Sequence, residues 1–175
     1  LILQQKKDYK HRLPMDVAGG ELMELRHHHV EQGEKGMEDH RTIQRLKERD
    51  ATLRSLVINS HLHHVHEGGG GGGPTLRVLQ SQLCWGSYLG LLETIHTTLS
   101  YSAKRIQTGQ QSINLNWSKI YSHEGMTALH FASHMGQDKI IDTLVTFHRE
   151  HCCGPPKSKL IPTVLFTADH WGNTP

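Results

Sequence analysis

The sequence predicts an all-α fold in which short helices follow one another in pairs. Apolar residues recur at helical spacing in one stretch, at Ile140, Ile141, Leu144 and Val145. This spacing gives one side of a helix a continuous apolar stripe, which needs a neighbour to cover it. Gly136 stands just before the stripe, and a glycine in the left-handed conformation commonly ends a helix. The pattern therefore indicates two helices joined by a tight turn.

The first helix of this pair also has a recognisable beginning. Gly125 permits the positive φ of a turn. Thr127 places a hydroxyl where the first backbone N–H groups of a helix lack partners. Leu129 and Ala132 follow three residues apart on one helical face, and the small Ala132 lets a neighbouring helix approach closely. These signals predict that the helix begins after Thr127 and ends before the next glycine.

Residues 125–136 read Gly-Met-Thr-Ala-Leu-His-Phe-Ala-Ser-His-Met-Gly. The stretch resembles the ankyrin repeat, whose pattern is Gly-x-Thr-Pro-Leu-His-x-Ala, then a central Gly and an apolar pair on a second helix. Ala128 stands where the family prefers Pro, and Ala is compatible with a helix there. The resemblance implies an ankyrin-like helix-turn-helix solenoid with short β-hairpin fingers. It also implies that His130 serves the fold by hydrogen-bonding near the turn.

Weaker copies of the same pattern extend the resemblance along the chain. Residues 169–175 read Asp-His-Trp-Gly-Asn-Thr-Pro, which resembles the opening of a further unit. Alignment of Gly90 with Gly136 predicts an earlier helix pair with Gly90 in its turn. Successive units are spaced more widely than the 33 residues usual in the family. One surplus falls at 148–162 and is predicted to be a surface insertion, because loop closure becomes only slowly less favourable with length.

The chain is predicted to contain four segments. They are a degenerate ankyrin-like unit (1–30), a charged helix with a His/Gly-rich linker (31–77), two ankyrin-like repeats (78–147), and an insertion loop with the start of a further repeat (148–175). In the first segment a short helical pattern surrounds Leu13 to Leu25. Residues 8–18 resemble a weakened copy of the motif, and Met23 and Leu25 are candidates for its second helix. Both ends of the chain are expected to be truncated.

The second segment combines a helix with a linker. Apolar residues on one side predict an amphipathic helix over Thr42–Ser60; they are Ile43, Leu46, Leu53 and Val57. Two interpretations stay open: a coiled-coil or partner helix, whose seam Asp50 interrupts, and a satellite helix packed on the repeats. The His-rich stretch 61–67 and the run Gly68–Gly73 predict a disordered linker, because glycine loses the most conformational freedom on ordering.

Composition disfavours several classes of partner. The net charge is +2, and Glu48 and Asp50 interrupt the basic stretch 41–54, so a nucleic-acid partner is disfavoured. Three cysteines, two of them adjacent, make a poor disulfide framework and favour an intracellular, cytoplasmic location, with the nucleus left open. No apolar run approaches the roughly 20 residues that a membrane helix needs. Membrane insertion is therefore not expected.

Zinc binding is the alternative raised by a cluster of four side chains, His148, His151, Cys152 and Cys153. Structural zinc sites usually combine two ligand couples that are well separated in sequence. The cluster is therefore interpreted as part of a solvated loop, and no metal or cofactor is predicted. The glycine run lacks the Lys-Ser/Thr of a phosphate-binding loop. The segment is predicted to be non-catalytic and to have no small-molecule substrate.

The resemblance implies a scaffold or adaptor that binds another protein through finger tips and first-helix faces. Carried onto this sequence, it indicates seven candidate residues: Trp117, Tyr121, His123, Phe131, His134, His170 and Trp171. Exposed aromatic side chains anchor interfaces well because they bury a large area at small entropic loss. For Trp117 and Trp171 the alternative is packing between neighbouring fingers. The alternative function is a targeting region of a larger multidomain enzyme, whose catalytic domain would lie in flanking sequence.

Overall fold

A computed structural model of the chain describes residues 13–33, 40–66, 75–108, 125–151 and 163–175. The helices are α1 (Pro14–Gly33), α2 (His40–His66), α3 (Leu76–Leu89), α4 (Leu92–Gln107), α5 (Ala128–His134) and α6 (Asp138–His151), followed by a 3₁₀ turn (Thr163–Phe166). These described ranges contain no β-strand, so the all-α prediction is confirmed for them. Residues 109–124, which include the predicted finger residues Trp117, Tyr121 and His123, lie outside them.

The helices after residue 75 form two stacked pairs. α3 pairs with α4, and α5 pairs with α6. The pairs stack like on like, since the first helices α3 and α5 lie against each other and so do the second helices α4 and α6. α1 and α2 pair with each other, and both also contact α3. One apolar core therefore runs from α1 to α6.

Each of the two stacked pairs turns at a glycine in the left-handed conformation. Gly90 has φ of 73° and Gly136 has φ of 63°, which confirms the predicted equivalence of these positions. At the start of α3 the Thr75 hydroxyl accepts a hydrogen bond from the Val78 backbone N–H. α3 has 14 residues and α5 has 7, so the first helix of the earlier pair is twice as long.

The predicted apolar stripe of the second helix is confirmed in α6. Ile140 and Leu144 are buried, and Ile141 and Val145 are partly buried against the core. α6 also continues through residues 148–151, which the sequence had placed in the insertion loop. Residues 152–162, the rest of that loop, lie outside the described ranges.

The predicted amphipathic helix over Thr42–Ser60 is confirmed, and α2 is longer than predicted. Leu53 and Val57 are fully buried and Leu46 is partly buried. Since α2 packs on α1 and α3, the structure shows the packed satellite helix rather than a free partner helix. The prediction that residues 61–66 belong to a linker is wrong, because no Gly or Pro interrupts α2 before Gly68. The glycine run itself is not among the described residues.

The helical pattern predicted around Leu13 to Leu25 is confirmed, but the assignment of Met23 and Leu25 to a second helix is wrong. α1 runs without interruption from Pro14 to Gly33, through Met23 and Leu25. Its two internal glycines do not have the positive φ that marks the turns of the other pairs. Met15, Ala18 and Leu22 are buried at helical spacing on one face of this single helix.

In the part of the chain that the structure describes, no helix combines the length and the apolar character needed to cross a membrane.

Candidate partner-binding surface

The start of α5 is fixed by a reciprocal capping arrangement. The Thr127 hydroxyl accepts a hydrogen bond from the His130 backbone N–H at 3.3 Å. In return, the Thr127 backbone N–H donates to Nδ1 of His130 at 3.0 Å. Two of the N–H groups that a helix start leaves without intrahelical partners are thereby satisfied. The role predicted for Thr127 as a helix cap is confirmed, and His130 completes it.

His130 also ties α5 to a segment much later in the chain. Because Nδ1 accepts the Thr127 N–H, the ring proton lies on Nε2. Nε2 is 3.0 Å from the Asn173 carbonyl oxygen and donates to it. Gly125 reinforces this approach: it has φ of 69°, and a Cβ placed there would come within 2.6 Å of the His170 ring. The structural role expected of His130 is therefore confirmed.

The tied segment, residues 167–175, is called here the Trp171 loop. Oδ1 of Asp169 accepts hydrogen bonds from the backbone N–H groups of Trp171 at 2.9 Å and Asn173 at 2.8 Å. Oδ2 accepts from the Asn173 side-chain amide at 3.1 Å. Gly172 supplies the positive φ, 84°, that the turn requires. A single carboxylate thus organises the loop.

Electrostatics at Asp169 agree with this geometry. Partial burial acts to raise the pKa of the Asp169 carboxyl, but the hydrogen bonds from Asn173 and Trp171 outweigh it, and the pKa lies below its ordinary value. Asp169 is therefore ionised at neutral pH and keeps its three hydrogen-bond donors.

The structure places the predicted binding residues in different environments. Trp171 is 74% exposed, and His170 on the same turn is exposed too. His134 is exposed at the far end of α5 from the cap that holds the Trp171 loop. The remaining finger residues, Trp117, Tyr121 and His123, lie outside the described ranges.

The prediction that Phe131 lies on a partner-facing surface is wrong. Its side chain is 0% exposed. The ring lies 5.2 Å from the Trp85 ring and 5.9 Å from Tyr88, both on α3, with the second contact edge-on. Because α3 presents two aromatic rings to α5, this position is filled by core packing and cannot contact a partner. Phe131 is an anchor between the two helix pairs.

Sequence reasoning missed the polar groups that surround this aromatic cluster. The Trp85 indole N–H donates to the buried Asp16 carboxylate at 3.0 Å. The Arg26 guanidinium lies over the Tyr88 ring, 4.9 Å from its centroid, and pairs with Asp50 at 3.1 Å. No local sequence pattern indicates these contacts, because their partners are far apart in the chain: Asp16 and Trp85 are separated by 69 residues.

Burial shifts the pKa values of three further groups in the described core. Burial raises the pKa of the Cys84 thiol well above its ordinary value, and the Asp16 charge adds to this. A protonated thiol is a poor nucleophile. Burial also raises the pKa of Tyr88, and it lowers the pKa of His148. These directions follow from the cost of removing the charged form from water.

Two of the four candidate zinc ligands, His148 and His151, are described, and both lie on α6. His148 is buried, whereas the ring of the exposed His151 packs 4.5 Å from Phe147. Among the described residues, no group of three or more His, Cys, Asp or Glu side chains is arranged to hold a metal ion. Cys152 and Cys153 are not described.

Loss of the His130 side chain is expected to loosen both the cap and the Trp171 loop. His130→Ala leaves the Thr127 N–H and the Asn173 carbonyl without their partner. We expect the free energy of unfolding to fall by about 1–2 kcal/mol, measured by urea unfolding. His134→Ala removes an exposed histidine from the same helix and serves as the control, with an expected change within about 0.5 kcal/mol. Equal effects of the two substitutions would contradict the bridging role.

The described candidate surface thus consists of the Trp171 loop, held by Asp169 and His130, and the exposed end of α5 at His134. It presents one large aromatic side chain and two histidines to solvent. Comparisons of the chain with protein-family models, with curated proteins and with solved structures find no match.

Proposed function

We propose that the chain is a protein-binding module of the ankyrin-repeat type, which contacts its partner through the Trp171 loop. The observation that carries this proposal is a large aromatic side chain, 74% exposed, on a turn already held by hydrogen bonds. The repeat-type arrangement is supported by the like-on-like stacking of two helix pairs, each turning at a left-handed glycine. The proposal assigns no catalytic step to the chain.

Preorganisation makes Trp171 suitable as an interface anchor. A mobile loop must be ordered when it binds, and that ordering reduces the affinity. Here Asp169 accepts the Trp171 and Asn173 N–H groups before any partner arrives, and His130 holds the Asn173 carbonyl. A tryptophan on such a turn contributes a large apolar area together with an indole N–H.

Capture of a partner by the immobilised chain tests the proposal. Trp171→Ala should abolish capture while leaving the far-UV circular dichroism unchanged, because the side chain makes little contact with the fold. Val30→Ala is the matched control: Val30 is also apolar and 62% exposed, but it lies on α1. We expect Val30→Ala to capture as the parent does. Equal capture by the Trp171→Ala variant would exclude the Trp171 loop as the binding surface.

A further inference from the structure

An open groove of about 400 Å³ lies between the second helices of the two stacked pairs. α4 and α6 form its two walls. Their lining includes His96 and Leu99 on α4, and Asp142, Phe147, Glu150 and His151 on α6. The groove is built by α4 and α6, whereas the Trp171 loop is held at the start of α5. It is therefore a surface that the proposed function leaves unused.

The groove has an apolar floor and an acidic rim. Leu99 and Phe147 are buried at its base, while Asp142 and Glu150 are exposed on the α6 wall. Neither wall contributes a Lys or Arg to the described lining. The Lys and Arg residues of these two helices are absent from that lining, whereas His96 and His151 belong to it; the former are Lys104, Arg105, Lys139 and Arg149.

The two carboxylates define a spacing along the groove. Asp142 and Glu150 are eight residues apart on one helix, which is about 12 Å at 1.5 Å of rise per residue. A second helix lying along α6 would place side chains seven or eight residues apart at matching positions. Residues three or four positions from each of these would then face the floor.

We propose that this groove binds an amphipathic helix of a partner protein that carries Lys or Arg residues seven or eight positions apart, with apolar residues between them on the same face. The basic side chains pair with Asp142 and Glu150, and the apolar ones contact Leu99 and Phe147. Apolar anchors laid into a groove are an established mode of helix recognition. Charge complementarity sets the class of partner, since an acidic helix would face two carboxylates in a lining that contains no Lys or Arg.

Fluorescence anisotropy with a labelled synthetic peptide tests this assignment. The probe has about 15 residues, the length at which isolated helices become marginally stable, with two Lys seven positions apart and Leu between them. A second peptide carries Glu in place of both Lys. We expect the Lys peptide to bind the full chain and the Glu peptide not to bind. Binding should also weaken as salt is added, because exposed ion pairs are screened.

Two double variants, each of which removes two negative charges, distinguish an effect of the groove carboxylates from an effect of the overall net charge. Asp142→Asn with Glu150→Gln should weaken Lys-peptide binding about tenfold. Glu24→Gln with Glu93→Gln neutralises two exposed carboxylates outside the groove and should leave binding unchanged. Circular dichroism of both variants checks that the helices remain.

Several results would overturn the proposal. Binding of neither peptide, similar binding of both peptides, or equal weakening by the two double variants would each exclude a specific basic helix. Sedimentation of the chain alone supplies a further outcome. Self-association that the groove variant abolishes would assign the groove to a second copy of this chain instead. Since the Trp171 loop is untouched in all of these variants, failure here leaves the proposed function to be judged by its own experiment.

Discussion

Replacing Phe131 with alanine is expected to lower the free energy of unfolding by about 3–5 kcal/mol, as large-to-small changes of buried aromatic residues do. The side chain is fully buried and packs on Trp85 and Tyr88. Removing it leaves a cavity between the two helix pairs and ends both ring contacts. Thermal and urea unfolding followed by circular dichroism measure the loss.

A loss this large approaches the whole stability of many single domains, so a milder variant accompanies it. Phe131→Leu keeps most of the volume and should cost less than the alanine variant, with retained helical signal. A change below about 0.5 kcal/mol for Phe131→Ala, the size usual at exposed positions, would show that the ring is exposed as the sequence analysis expected. Binding experiments on this variant would then test whether Phe131 contacts a partner.

Two adjacent glycines of α1 are expected to respond to alanine in opposite directions. A Cβ on Gly19 would overlap the Trp85 indole ring, whereas a Cβ on Gly20 would have no neighbouring atom within 4 Å. Gly19→Ala therefore forces apart α1 and α3, and we expect it to lower the free energy of unfolding by about 1–3 kcal/mol. Gly20→Ala only gains helix propensity, and we expect it to raise that free energy by up to about 1 kcal/mol.

The comparison is internally controlled, because the two substitutions add the same methyl group one residue apart on one helix. Chemical unfolding of both variants beside the parent measures the difference in sign. Stabilisation by both would mean that α1 does not rest on the Trp85 ring. Destabilisation by both would mean that this part of α1 is not a regular helix.

The pair formed by α5 and α6 was predictable because the residues that define it are close together in sequence. Thr127 and His130 cap α5 through each other's backbone N–H groups, and Gly125 and Gly136 permit the turns through their own positive φ. Local hydrogen bonding and backbone conformation are what a single sequence encodes most directly. The turn at Gly90 was predicted by aligning that glycine with Gly136, and both have positive φ.

The contacts of α1 could not be predicted in that way. The degenerate motif near its start suggested two helices, whereas α1 is a single helix that buries Met15, Ala18 and Leu22 on one face. Asp16 reads from sequence as an ordinary first-turn acid, since its partner Trp85 lies in another helix. Phe131 was misplaced for the same reason. Its burial depends on the rings of α3, which its own motif does not specify.

The candidate binding surface was predictable in part. His170 and Trp171 are exposed, and Asp169 and Gly172 shape the turn between them and Asn173. The groove between α4 and α6 had no sequence signal, because its walls are helices from different pairs whose apposition depends on how the pairs stack.

The hydrogen bond between Asp16 and Trp85 restricts which other helix could pack on α3 in place of α1. An apolar stripe alone lets a helix slide or rotate on its neighbour at little cost, since hydrophobic contact is non-directional. Here the indole N–H needs an acceptor at the position of Asp16 along α1. The ring also occupies the space that a side chain would fill one turn later, at Gly19. α1 therefore fits α3 in one register and one rotation. A transplanted helix of equal hydrophobicity would cover the core without reproducing this alignment.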